Sequence, residues 1–175
     1  MNGITGKNAL VTGGSSGIGQ AIAVRFGREG ANVAINYRRD EADAEETAAL
    51  IEAEVDRCIR EVRECGGATV LVQADVSKAT EVASMVRETV EALGGLDILV
   101  NNAGIQVAGE SHEIDVDDFD RVVAVNLRGA FLCAREAIRH WLAEGRPGVI
   151  VNISSVHQII PKPRFVGYSA SKGGM

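Results

Sequence analysis

Eight residues, TGGSSGIG at 12–19, constrain this chain more than any others. They lie between a short aliphatic run, Lys7–Val11, and a stretch from Gly17 to Glu29. In that stretch Ile18, Ile22, Val24 and Phe26 read as the apolar side of a helix, and Gly30 stops it. Gly13, Gly17 and Gly19 follow a G-xxx-G-x-G spacing. The first glycine permits a tight turn out of a strand, the second lets backbone approach a pyrophosphate, and the third lets helix and strand pack closely. Free N–H groups and the positive end of the helix dipole then face the phosphates, and Ser15 and Ser16 add hydroxyl donors. Glycine spacing alone is a weak signal. Its place between a strand and a helix makes it a strong one for a nucleotide-binding turn.

The remaining chain repeats that alternation. Asn32–Tyr37, Thr69–Gln73, Leu96–Val100 and Val149–Ile153 read as further strands. Asp40–Cys65 reads as a long charged helix with an apolar stripe of Ile51, Val55, Ile59 and Val62, ended by Gly66-Gly67. On its solvated face Asp56/Arg60 and Arg57/Glu61 stand four apart. Ser77 can cap a helix carrying Val82, Val86, Val90 and Leu93. Val116–Glu144 predicts one long helix, Ser154–Gly167 an irregular stretch with Pro161 and Pro163, and Tyr168–Met175 the opening of another helix. Five short aliphatic strands alternating with helices predict an α/β fold: a doubly wound, Rossmann-type parallel sheet in three αβα layers, formed by residues 1–175 as a single domain.

Composition narrows the partners. A net charge of −6 argues against nucleic acid. Cys58, Cys65 and Cys133 give no disulfide framework, and neither they nor His112 and His140 have metal-ligand spacing, so no metal is expected. The start MNGITGKNALVTGG has no basic segment followed by an apolar core, and no run of 18 apolar residues occurs; the expected location is the cytoplasm, away from the membrane.

In an open parallel sheet the ligand lies beyond the carboxyl ends of the strands. Polar groups stand there: Asp75-Val76 after the third strand, Asn101-Asn102-Ala103-Gly104 after the fourth, Ser154-Ser155 after the fifth. The Asp75 carboxylate can accept from an adenine amino group. At the end of the second strand, where an acidic residue would bind a ribose 2′-hydroxyl, stand Tyr37, Arg38 and Arg39. With no carboxylate in that place to repel a 2′-phosphate and two guanidiniums to pair with it, NADP or dual use with NAD is favoured.

GYSASKGGM at 167–175 supplies the chemistry. Tyr168 and Lys172 share a helix face. A free tyrosine titrates near 10; a fixed ammonium and a cationic oxidised nicotinamide both favour phenolate, and bringing a phenol near 7 takes roughly 4 kcal/mol. Tyr168 can then take the proton of an alcohol as hydride leaves, or protonate a carbonyl oxygen in reverse. Ser155 can hydrogen-bond the same oxygen, and Asn126, in a helix that does not favour asparagine, can anchor a water between Lys172 and solvent.

Taken together, TGGSSGIG, Asp75-Val76, NNAG, Asn126, Ser155, Tyr168 and Lys172 resemble the short-chain dehydrogenase/reductase family along essentially the whole chain. The resemblance implies an NAD(P)-dependent oxidoreductase of alcohols and carbonyls, with a Ser–Tyr–Lys–Asn tetrad and a homotetramer in the complete protein. It implies cofactor contacts from Gly13, Ser15, Ser16, Gly17, Ile18, Gly19, Tyr37, Arg38, Asp75, Val76, Asn102, Ala103, Gly104, Tyr168 and Lys172. A narrower likeness, in INYR, SHEIDVDDFDRVVAVNLRGAFLCAREAI and NISSVHQIIPKPRFVGYSASKGGM, is to the glucose 1-dehydrogenase branch. It implies an aldose substrate met by Ser155, His157 and Tyr168. A 3-oxoacyl-[acyl-carrier-protein] reductase-like activity is the alternative. The 40–65 stretch is longer than that branch has. The chain stops at Met175, where relatives continue with parts that shape the substrate pocket and the oligomer, so the C-terminal part is expected to be missing. A stub this close to Lys172 is not expected to complete a stable helix alone. Read as a finished product, the chain would instead be a nucleotide-binding chain without turnover.

Overall fold

Apolar residues at alternate positions along three strands set the two sides of a sheet. Ala9 and Val11 in β1 (Asn8–Val11), Val33 and Ile35 in β2 (Asn32–Tyr37), and Ile98 and Val100 in β4 (Ile98–Asn101) point into one core. Leu10, Ala34 and Leu99 point into the other. With β3 (Thr69–Gln73) and β5 (Val149–Asn152) the strands pair in parallel throughout, in the order β3-β2-β1-β4-β5. The computed structural model describes residues 3–38, 56–64 and 67–175.

On one side lie α1 (Gly17–Arg28) and the helical stretch α2 (56–64), burying Ala23, Val24, Cys58 and Val62. On the other lie α3 (Ala79–Leu93) and α5 (Gly129–Ala143), burying Val82, Met85, Leu132, Ala137 and Trp141. The result is the expected three-layer, Rossmann-type α/β fold. The order of strands reverses between β1 and β4, which opens a crevice at their carboxyl ends.

Several local expectations change. Lys78, not Ser77, stands at the N-cap of α3; the Ser77 hydroxyl instead donates to Asp75 at 2.7 Å, because the short turn after β3 brings them together. The single helix expected over 116–144 is three pieces: α4 (Val116–Val123), a π turn (Ala124–Arg128) and α5. Asp115 caps α4, its carboxylate accepting from Asp117 N–H at 2.8 Å. A 3₁₀ turn, Val156–Gln158, forms inside the stretch expected to be irregular. The last helix, α6 (Val166–Gly174), does form: Gly167 lies against Phe119 and Val122 of α4, and Gly174 against Leu127, so packing supplies what a lone stub lacks. Of the expected 40–65 helix, Ile59 and Val62 face the core and Arg57 pairs with Glu61 at 3.5 Å, while Ile51, Val55 and Cys65 lie outside the described residues. Cys58 and Cys133 are buried; the Cys58 thiol donates to the Gly14 carbonyl at 3.7 Å, and burial pushes the Cys133 thiol up to about 12, which leaves it a packing group. Among the described residues no helix is long and apolar enough to cross a membrane, and no cluster of His, Cys, Asp and Glu could hold a metal.

Candidate active site

Every strand that ends at the crevice contributes a turn, and side-chain amides wire the turns together. Gly13 and Gly17 take φ of 60° and 53°, the left-handed region that favours glycine. A Cβ on Gly19 would lie 2.2 Å from the Gly13 carbonyl oxygen, so this glycine lets α1 close on the turn itself rather than on the strand. The Asn102 amide donates to the carbonyls of Thr12 at 2.9 Å and Gly13 at 3.0 Å. The Thr12 hydroxyl accepts from the N–H groups of Asn102 and Ala103, both at 3.0 Å, and donates to Val100. Asn36, buried in β2, accepts from Gly13 N–H at 3.1 Å and donates to the carbonyls of Val72 and Ala74. The Ser16 side chain makes no cap hydrogen bond at the start of α1, so the first N–H groups of that helix keep no side-chain partner there.

Two hollows follow. The smaller, about 140 Å³, is walled by Asn36, Arg38, Asp75, Val76, Gly104 and Ile105. The larger is a cleft of about 370 Å³. Gly13, Ser15, Ser16 and Ile18 line one end, Tyr37, Arg38 and Asn102–Gly104 the middle, and Ile153, Ser154, Tyr168 and Lys172 the other end. A pyrophosphate fits the glycine turn, because a Cβ at Gly13 would meet Ala103 at 3.0 Å while the side of Gly17 is open.

Arg38 reaches across the smaller hollow, its Nη1 3.6 Å from Asp75 Oδ2. So although no carboxylate ends β2, the fold brings one beside Arg38 from the turn after β3. Burial alone would raise the Asp75 pKa. Hydrogen bonds from the Ser77 hydroxyl and N–H, with the charges of Arg38 and Lys78, outweigh it and hold the carboxyl below its ordinary value. Arg39 lies outside the described residues.

Lys172 is 4% exposed, and burial pushes its pKa below that of an ordinary lysine. Its Nζ donates to the Ile153 carbonyl at 2.7 Å and lies 5.8 Å from the Tyr168 ring centroid. The expected tetrad is only partly gathered at the cleft. Asn126 sits behind it, 0% exposed, in the π turn. Its side chain is not open to a water: Oδ1 accepts from Ile105 N–H at 2.8 Å, and Nδ2 donates to the Ile105 carbonyl and to Ser171. Ser155 caps the 3₁₀ turn, its hydroxyl oxygen accepting from His157 N–H at 3.2 Å. His157 stands edge-on to Tyr168, ring centroids 6.4 Å apart. Its Nδ1 lies 3.0 Å from the Ile160 carbonyl, which can only accept, so Nδ1 carries the hydrogen. Thr12, Asn36 and Ser171 hold the site together and are not singled out in the sequence. Asn36 carries a signal: it is a polar residue inside β2, where the pattern demands an apolar one.

The family model for short chain dehydrogenases matches residues 7–175. The chain is 48% identical over 172 residues to a 3beta-hydroxysteroid dehydrogenase 1 of Eggerthella lenta, covering 98% of this chain and 62% of that protein. It is 46% identical over 172 residues to a glucose 1-dehydrogenase of Gluconobacter oxydans, covering 97% and 60%. A crystal structure of a dehydrogenase/reductase from Sinorhizobium meliloti 1021 superposes with a TM-score of 0.84 at 41% identity, over 99% of this chain and 64% of that one. The chain thus spans about three fifths of the length of these relatives.

Proposed function

This chain belongs to the short chain dehydrogenase family, and from that premise we propose that the protein transfers hydride between a nicotinamide dinucleotide and an alcohol or carbonyl carbon, with an aldose as the leading substrate. One observation carries the reading: Tyr168 and Lys172 line the same cleft as the glycine turn. Adenine would occupy the smaller hollow, the pyrophosphate would meet Ser15, Ser16 and the start of α1, and the ring would come to the Tyr168 end. A bound nicotinamide would accept or supply the hydride. The chain's own part is proton transfer and orientation. The Tyr168 hydroxyl would take the proton of the alcohol or return it to the carbonyl oxygen. Lys172, fixed by Ile153, would hold its ammonium beside that ring, facing the reacting oxygen. Ser155, once its hydroxyl is presented to substrate, would steady the reacting oxygen, and His157 would flank it.

Arg38 supports use of NADP, and its pairing with Asp75 supports dual use with NAD. An exposed apolar row on α5, Phe131, Ile138 and Leu142, supports an assembly of several copies, a tetramer in this reading, acting on small molecules in the cytoplasm.

A second substrate reading has its own support. Val156, Ile159 and Ile160, next to Ser155 and His157, are 63%, 78% and 65% exposed, and apolar surface there suits a bulky hydrophobic alcohol better than a sugar. The relative named as a hydroxysteroid dehydrogenase points the same way. Steady-state assays with NAD and NADP on glucose, a 3-hydroxysteroid and a β-ketoester separate these readings from the carbonyl reductase. Tyr168→Phe is expected to abolish turnover and leave cofactor binding intact; near-normal turnover in that variant would overturn the mechanism.

A further inference from the structure

Between Tyr168 and Lys172 on α6 lies Ser171, 0% exposed and outside the cleft lining. Its hydroxyl has a single hydrogen, which goes to the Tyr168 carbonyl at 2.8 Å. The oxygen is then left to accept from Asn126 Nδ2 at 3.1 Å. Asn126 has no freedom of its own, since its oxygen and its other amide hydrogen are both taken by the backbone of Ile105, at 2.8 and 2.9 Å. Flipping that amide would set donor against donor at Ile105 and acceptor against acceptor. A one-way path of donation therefore runs from the Ile105 N–H through Asn126 and Ser171 to the Tyr168 carbonyl; Ile105 follows Gly104 in the cleft wall.

The far side of α6 has a separate anchor. Lys172 Nζ donates to the Ile153 carbonyl at 2.7 Å. Packing of Gly167 on Phe119 and Val122 and of Gly174 on Leu127 keeps α6 docked whether or not Ser171 is present, but apolar contacts leave its rotation soft; the directional bond to Asn126 is what sets it, and losing that bond lets Tyr168, one turn away, move off its line.

We propose that Ser171 is a positioning residue for the Tyr168–Lys172 pair, fixing the rotation of α6 against the loop after β4 so that hydroxyl and ammonium meet the same reacting centre. This rests on the hydride-transfer reading above. A displacement of about 1 Å at a reacting group costs about a hundredfold in rate.

The test uses the protein as the cell makes it, with Ser171→Ala and the near-isosteric Ser171→Cys, which keeps the volume should the alanine variant fold poorly. Steady-state kinetics, calorimetric Kd for the cofactor and thermal midpoints are measured side by side. In both variants kcat is expected to fall about ten- to a hundredfold, with the cofactor Kd within about twofold of the parent. Parent-level kcat in the cysteine variant, whatever the thermal midpoint does, assigns Ser171 to packing alone and overturns the inference. So does a loss confined to cofactor affinity. If Tyr168→Phe is inactive while the Ser171 variants are normal, the inference fails and the functional reading stands. A parent protein that binds cofactor but turns over no alcohol or carbonyl overturns both.

Discussion

Lys172 and Ile153 are joined at 2.7 Å, ammonium to backbone carbonyl, where the chain leaves β5. The bond fixes the charge of a lysine that burial would rather neutralise. Lys172→Met should therefore lower kcat by about 10²–10³ while the thermal midpoint changes little, because the apolar stem keeps its packing and relief of a desolvated cation offsets the donor lost by the Ile153 carbonyl. Kinetics and differential scanning calorimetry on the same preparation check this.

Arg38 and Asp75 share the smaller hollow at 3.6 Å. Asp75→Asn removes the carboxylate but keeps an oxygen that can accept from Ser77, leaving the guanidinium to a 2′-phosphate. The ratio of kcat/KM for NADP to that for NAD should rise about tenfold, and Arg38→Ala should lower it by at least as much. An unchanged ratio in both variants would remove Arg38 from cofactor choice.

Acid should loosen the turn after β3. Asp75 and Glu81 both titrate below their ordinary values of 3.8 and 4.5. For Glu81 the first cause is the hydrogen bond from Asp75 N–H, then the one from Lys78. With both carboxyls lowered, the folded state binds fewer protons than the unfolded state between the lowered and ordinary values. Their contribution is thus whole above the ordinary values and lost as pH falls through the lowered ones. Thermal midpoints should drop below about pH 4, and less steeply in Asp75→Asn.

Thr12 Oγ1 serves three backbone groups from a buried position. Thr12→Val keeps the shape and strands two N–H groups, so it should destabilise by about 2 kcal/mol and weaken cofactor binding. Denaturant titration and calorimetric Kd measure the two effects separately.

Gly19→Ala should be worse, since its Cβ would meet backbone at 2.2 Å and the turn would have to move. Loss of nucleotide binding with a folded circular dichroism spectrum is the expected result.

The strands, the glycine turn and the Tyr168–Lys172 pair were legible because each rests on local spacing: period two, a strand-turn-helix junction, and four residues on one helix face. Asn126 was legible as a residue but not in its duty. Whether its amide meets water or the backbone of Ile105 depends on a π turn that no periodicity announces. The pairing of Arg38 with Asp75 joins two strands 37 positions apart and exists only once β2 and β3 are in register. Ser155 was placed correctly at the end of β5, yet its hydroxyl oxygen is engaged by the turn it caps, a local bond that a strand reading does not foresee.

The π turn between α4 and α5 also works as a rotational offset. Each residue in a helix advances the azimuth by about 100°. The wider i→i+5 turn of Ala124–Arg128 takes up one extra residue; held as regular α with all five residues kept, the segment would swing everything after it by about that angle relative to α4. Val122 faces inward before the turn, and Leu132, Ala137 and Trp141 face inward after it. Straightening the segment without removing a residue would send one of those two sets out to water, so what keeps both faces inward is the width of this backbone turn rather than any one of its side chains.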